Sequence, residues 1–168
     1  MAIVTELHWI DGPWRGKLCL SARPRGGDWL EDEIADWQLS GIRTVFSLLT
    51  EEEINDLDLS NESAEVHRHG MNYRSFPILD RQVPDSESKL AEALDSLFRE
   101  LESGNNVVMH CRQGIGRAGM AAVCMPIGGG VDVESAIRRV SAARGVPVPE
   151  TSEQRKWIDR YADLHVAK

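Results

Sequence analysis

Apolar positions along the chain change their period several times. Leu90, Ala93, Leu94, Leu97, Phe98 and Leu101 recur at i, i+3, i+4, i+7, i+8 and i+11. That spacing predicts a long amphipathic helix, ending near Gly104. Leu30, Ile34, Trp37 and Leu39 form a second apolar stripe, with Asp28 and Glu31 at capping-box spacing in front of it and Gly41 behind. The short runs KLCLS (17–21), RTVFSLL (43–49) and NVVMHC (106–111) have the apolar density of buried strands, and NYRSFPI (72–78) alternates polar with apolar as a strand does.

Helix signals fill the intervals. Thr50 with Glu53 and Thr151 with Gln154 are two more capping boxes, and Asp132 opens a helix running to about Arg144. Residues 61–69 form a short helix stopped by Gly70. AGMAAVCM (118–125) is a small-residue helix that packs closely, and Pro126 marks its end. Strands separated by helices predict a single α/β domain over residues 1–168. Its short, mostly parallel central sheet is flanked by helices on both faces.

Composition narrows the classes of function. With 168 residues, 42% hydrophobic and 27% charged, the chain is an ordinary globular one, not a fibrous or disordered one. No apolar run approaches the length of a membrane span, and the N-terminus lacks the basic and apolar blocks of a secretory signal. A net charge of −8 argues against a broad nucleic-acid surface. Three cysteines (Cys19, Cys111 and Cys124) with no C-x-x-C pair predict reduced thiols in a cytoplasmic protein. Cys19 and Cys124 are expected in the core. His67 and His69 lack a full ligand set, so no metal is expected.

The segment that carries chemistry is VVMHCRQGIGRAGMAA, residues 107–122. A buried strand runs into a loop at Cys111, and a helix opens at Arg117. Gly114 and Gly116 allow successive backbone N–H groups to turn inward as an anion-binding nest. The helix N-terminus adds partial positive charge, and the planar Arg117 guanidinium suits two oxygens at once. Such surroundings favour a thiolate. A thiolate beneath a tetrahedral oxyanion is placed for in-line attack on phosphorus, and so for covalent catalysis through a cysteinyl-phosphate without a cofactor.

HCRQGIGRAG resembles the H-C-x5-R signature of the cysteine-dependent protein tyrosine and dual-specificity phosphatases. The resemblance extends through FPILDRQVPD and RGVPVPET, from about Gly16 to the last helix. SLLTEEE and PILDRQVPD resemble the small dual-specificity phosphatases of the cyclin-dependent-kinase-inhibitor-associated type. The resemblance implies Cys111 as nucleophile, Arg117 as phosphate clamp and the loop Arg112, Gln113, Gly114, Ile115 and Gly116 as phosphate cradle. It implies that His110 holds the loop and tunes the thiol, and that the substrate is a phosphorylated protein or peptide. The leaving oxygen needs a proton donor. The resemblance favours Asp80, 31 positions before Cys111, while Asp85 either serves instead or caps the following helix. Gln154 either positions the hydrolytic water, as in the family, or only completes its capping box. Arg112 either lines the pocket mouth or faces solvent.

Two departures matter. Ala118 stands where the family has a serine or threonine whose hydroxyl helps the sulfur leave. This raises the alternative of a phosphate-binding module with impaired turnover. The deep-pocket tyrosine-recognition segment of the classical enzymes is absent, which implies a shallower site open to phosphoserine and phosphothreonine as well as phosphotyrosine. Ile115 occupies the position where phosphoinositide phosphatases often carry a second basic residue, which disfavours a lipid substrate. A non-protein phosphate ester is the remaining alternative.

Overall fold

The computed structural model describes residues 4–166. Five strands, β1 (His8–Ile10), β2 (Leu18–Ser21), β3 (Thr44–Ser47), β4 (Asn72–Ser75) and β5 (Val107–His110), form one sheet in the order β1-β2-β5-β3-β4. β1 pairs antiparallel with β2, and the other pairs are parallel. Helices α1 (Leu30–Leu39), α2 (Glu51–Asp56), α3 (Glu62–Arg68), α4 (Glu87–Glu102), α5 (Arg117–Gly128), α6 (Val133–Arg144) and α7 (Ser152–Val166) complete the fold.

Strand periodicity sorts the core into two layers. Leu18, Leu20, Phe46, Val107 and Met109 face a large cluster with α4, α5, α6 and α7. Cys19, Val45 and Val108, which lie side by side in register, face a smaller one with α1 and α3. The central strands are therefore apolar on both faces, as a covered parallel sheet requires. The expected α/β architecture is observed. No described helix is long and apolar enough to cross a membrane.

Several local expectations are corrected. β1 was not anticipated, because three residues carry too little pattern. The first capping box is absent: Trp29 is the N-cap of α1 without a side-chain bond, and Asp28 lies in a short 3-10 turn (Gly27–Trp29). Leu39 leaves its proposed stripe and is 87% exposed. Nine residues on from Leu30 is half a turn out of phase at 3.6 residues per turn. Pro126 does not end its helix, since α5 runs on to Gly128. A proline lacks only its own N–H, so the turn that follows can still close. The Thr50–Glu53 capping box is present in full, and Asp132 caps α6 by accepting from Ser135 N.

Candidate active site

The carboxyl ends of the parallel strands gather the chemistry. Cys111 follows β5 directly, at the base of a cavity of about 180 Å³ also lined by Asp80, Arg112, Gln113, Gly116 and Arg117. Cys111 lines this cavity and is 3% exposed. Its Sγ accepts from Ala118 N at 3.5 Å, at the first turn of α5.

The loop carbonyls point away from this cavity and are held from outside. Arg23 N donates to Arg112 O at 3.2 Å. Arg144, the last residue of α6, donates Nη2 to Gln113 O at 3.0 Å and Nε to Gly114 O at 3.1 Å. Gly114 is in the left-handed region (φ +71), and a Cβ there would stand 2.5 Å from Ser21 O. Both the conformation and the close approach to β2 therefore demand glycine. Among the described residues no N–H from Arg112 to Gly116 has a backbone acceptor. Such a ring of free amides at a helix start attracts an anion.

Arg117 is 1% exposed and oriented by α2 and the stretch from Ile78 to Asp80. Nη1 donates to Glu53 Oε1 at 2.6 Å and Ile78 O at 2.7 Å; Nη2 donates to Glu53 Oε2 at 2.9 Å and Asp80 Oδ1 at 3.1 Å. Its Nε is buried and has no partner among the described residues. Burial would lower the basicity of this guanidinium. The Glu53 hydrogen bond, followed by the charges of Cys111, Glu53 and Asp80, outweighs it and raises the pKa. At Glu53, burial raises the pKa of the carboxyl. The hydrogen bond from Arg117, those from Thr50 and Arg112, and the Arg117 charge bring it down to about 2.

His110 is buried behind Cys111. Its Nε2 lies 2.6 Å from Glu62 Oε2 on α3, and its Nδ1 lies 3.4 Å from Cys111 O. Glu62 is also fully buried, and its other oxygen has no partner among the described residues. The imidazole packs at a tilt on Trp37, with centroids 5.8 Å apart.

Residues 21–130 match the family described as "Polymorphic toxin system, DSP-PTPase phosphatase" (Tc-R-P). The chain belongs to this family. It is 24% identical over 136 residues to cyclin-dependent kinase inhibitor 3 of Sus scrofa, covering 80% of this chain and 64% of that relative. It thus spans a little under two thirds of the length of that curated protein. A solved kinase associated phosphatase, with its catalytic-site cysteine changed to serine, superposes with a TM-score of 0.88 at 20% identity, covering 100% of this chain and 99% of the other. Tk-PTP in its active form superposes with a TM-score of 0.75 at 25% identity, covering 94% and 96%.

In this DSP-PTPase chain the two candidate acids separate in space. Asp80 lines the cavity with Cys111 and is 55% exposed. Asp85 lies in a neighbouring cleft with Pro77, Leu79 and Val83, away from the sulfur. Nor does Asp85 cap α4. The cap is Ser86, whose Oγ accepts from Lys89 N. Arg112 lines the cavity and bonds Glu53 Oε2 at 3.3 Å. Gln154 is fully buried, and its capping box is formed, with Oε1 accepting from Thr151 N at 3.2 Å and Thr151 Oγ1 accepting from Gln154 N at 3.1 Å. Its amide nitrogen also donates to Gln82 O at 3.2 Å in the Asp80 loop, and a Cβ on Gly116 would come within 3.1 Å of its Oε1. Ile115 is half-buried and packs against the main core.

Sequence reasoning missed Glu53 as partner of Arg117, Glu62 as partner of His110, and Arg144 as brace of the loop. Glu53 was legible as a cap only. Its second role joins residues 64 positions apart, which no local pattern reports.

Proposed function

We propose that this chain is a protein phosphatase acting on phosphotyrosine, with phosphoserine and phosphothreonine also admitted, through a cysteinyl-phosphate intermediate. Residues 1–168 serve as one catalytic domain without a cofactor. The observation that carries the reading is the unpartnered Nε of Arg117, buried beside the Cys111 sulfur in a cavity edged by free amides. A buried N–H without an acceptor is costly, and a phosphoryl oxygen supplies the acceptor it lacks.

The phosphoryl group enters with its oxygens on the loop amides and Arg117. It competes with Asp80 for Arg117 Nη2, and the displaced carboxyl turns to the leaving-group oxygen. The thiolate of Cys111 attacks phosphorus in line while Asp80, in its protonated form, gives its proton to the departing phenolate or alkoxide. The S–P bond forms as the P–O bond breaks. Asp80, now a carboxylate, then takes a proton from the water that attacks phosphorus. The S–P bond breaks, releasing phosphate and restoring the thiolate. Gln154 steadies the acid loop through Gln82 and has its amide close to Gly116, near the path of that water.

The test is hydrolysis of p-nitrophenyl phosphate and of phosphopeptides. Cys111→Ser abolishes turnover, and Asp80→Asn lowers it by about 100-fold, the scale of one general acid. Mass spectrometry of the quenched enzyme shows phosphate on Cys111. Wild-type protein that binds phosphopeptide without turnover would favour the impaired module that Ala118 suggests.

A further inference from the structure

The loop that carries Asp80 breaks a local rule of turn chemistry. Gln82 N donates to Leu79 O at 3.0 Å, which closes a turn with Asp80 second and Arg81 third. Arg81 has φ +64, whereas Asp80 is not in the left-handed region. A positive φ at the third position alone is the pattern of a type II turn, where glycine is favoured and a long side chain is strained. Among the described residues, Arg81 and Asp58 are the only non-glycines in that region. Glycine turns the chain here without strain, so the reason for arginine lies in its side chain. That side chain stands at the rim of the Cys111 cavity, and its Nη1 pairs with Glu150 Oε1 at 3.3 Å. Glu150 is itself anchored: its backbone N donates at 3.1 Å to Oε1 of the buried Gln154, in the first turn of α7. Three ties among the described residues therefore hold the turn. Asp80 bonds Arg117 Nη2 at 3.1 Å, Arg81 bonds Glu150, and Gln82 O accepts from Gln154 Nε2 at 3.2 Å. The first is given up when a phosphoryl group takes Arg117 Nη2, and the flanking two remain. An exposed ion pair returns little stability, no more than the strained φ removes. Stability of the fold alone does not account for Arg81.

We propose that Arg81 is a positioning residue for the general acid. Its pair with Glu150 holds the Asp80 turn against the segment that leads into α7, so that the carboxyl keeps its aim at the leaving-group oxygen once it has released Arg117. This rests on the phosphatase reading above and gives a role to two rim residues that take no part in the bonding changes. Arg81 moves no proton: the proton passes from the Asp80 carboxyl to the departing oxygen as the P–O bond breaks. What Arg81 supplies is geometry, and a general acid displaced by about 1 Å loses much of its effect.

The test compares kcat/KM, which reports formation of the phosphoenzyme, for two esters. The phenolate of p-nitrophenyl phosphate departs readily, whereas that of phenyl phosphate is about as basic as tyrosine (pKa about 10) and needs the proton. Arg81→Gly keeps the turn, since glycine suits it, and removes only the guanidinium. It lowers kcat/KM about tenfold for phenyl phosphate, the scale of a misaimed acid, and less for p-nitrophenyl phosphate. Glu150→Ala does the same, and the double variant is no worse than either alone. The contact is one-pronged, so Arg81→Lys recovers most of the loss. In Asp80→Asn, Arg81→Gly has no further effect, because no acid is left to aim. Undiminished activity in Arg81→Gly, equal losses for the two esters, additive losses with Glu150→Ala, or a further loss on top of Asp80→Asn overturns the inference and leaves the phosphatase reading intact. A wild-type protein that hydrolyses neither ester ends the phosphatase reading and this inference with it.

Discussion

Glu53 and Arg117 meet in a two-pronged pair, Oε1 on Nη1 at 2.6 Å and Oε2 on Nη2 at 2.9 Å, although α2 and α5 are far apart in the chain. The same carboxylate caps its own helix by accepting from Thr50 N. One side chain thus fixes the start of α2 and aims the guanidinium beneath the loop that follows Cys111. Glu53→Ala removes the two-pronged partner of a buried cation, leaves it only the single carboxylate bond to the half-exposed Asp80, and is expected to cost about 3 kcal/mol of stability. Chemical denaturation measures this. Loss of Arg117 orientation also lowers kcat/KM toward p-nitrophenyl phosphate.

The same pair sets an acid limit. The carboxyl of Glu53 is depressed in the folded state from 4.5 to about 2. Its stabilisation is therefore complete above the unfolded value and is lost as pH falls through the window between 4.5 and about 2. Stability measured by urea denaturation falls across that window, and in Glu53→Gln the fall is shallower. An identical slope in the two proteins would contradict the assignment.

Ala118 offers the sulfur a backbone N–H and no hydroxyl. In Ala118→Ser a hydroxyl can donate to the departing sulfur. Hydrolysis of the phosphoenzyme then speeds up, and the pre-steady-state burst shrinks. Stopped-flow kinetics with p-nitrophenyl phosphate decides this, and unchanged burst and turnover would refute it.

Gly114→Ala places a methyl group 2.5 Å from Ser21 O at a left-handed φ. Backbone strain alone costs on the order of 1–3 kcal/mol, and the clash pushes the loop off β2. Phosphate binding is lost in calorimetry while the far-ultraviolet circular dichroism is retained.

The three thiols differ in reactivity. Burial pushes the Cys19 thiol up to about 12, against a smaller lowering by a backbone bond at His8. Burial, with the charge of Asp95, pushes Cys124 well above its ordinary value. Both face the core and not the cavity. Iodoacetamide at neutral pH therefore labels Cys111 alone, and phosphate protects it. Labelling of Cys19 or Cys124 in the native protein would count against this.

Much of the fold was legible because it is written in local periods. The stripe from Leu90 to Leu101 became α4, with Leu90, Leu94, Leu97 and Leu101 all buried. The apolar run before Cys111 became the central strand. The short edge strand β1 was not legible, since its pairing with Leu18–Leu20 is a tertiary event. Asp28 failed as a cap for a similar reason: the chain enters α1 through a 3-10 turn whose backbone is held by Asp58 O.

The sequence by itself determined the strand, the glycine loop and the helix that carry Cys111 and Arg117. These are neighbours in the chain, and backbone sterics, amide dipoles and helix caps act over a few residues. Only the tertiary structure decided that Asp80 and not Asp85 borders the sulfur, that Glu53 holds Arg117, that Glu62 holds His110, and that Arg144 braces the loop. Those partners lie roughly 30 to 65 positions apart. Charge pairing acts through space, so which carboxylate meets which cation is set by how the sheet and helices close around the site.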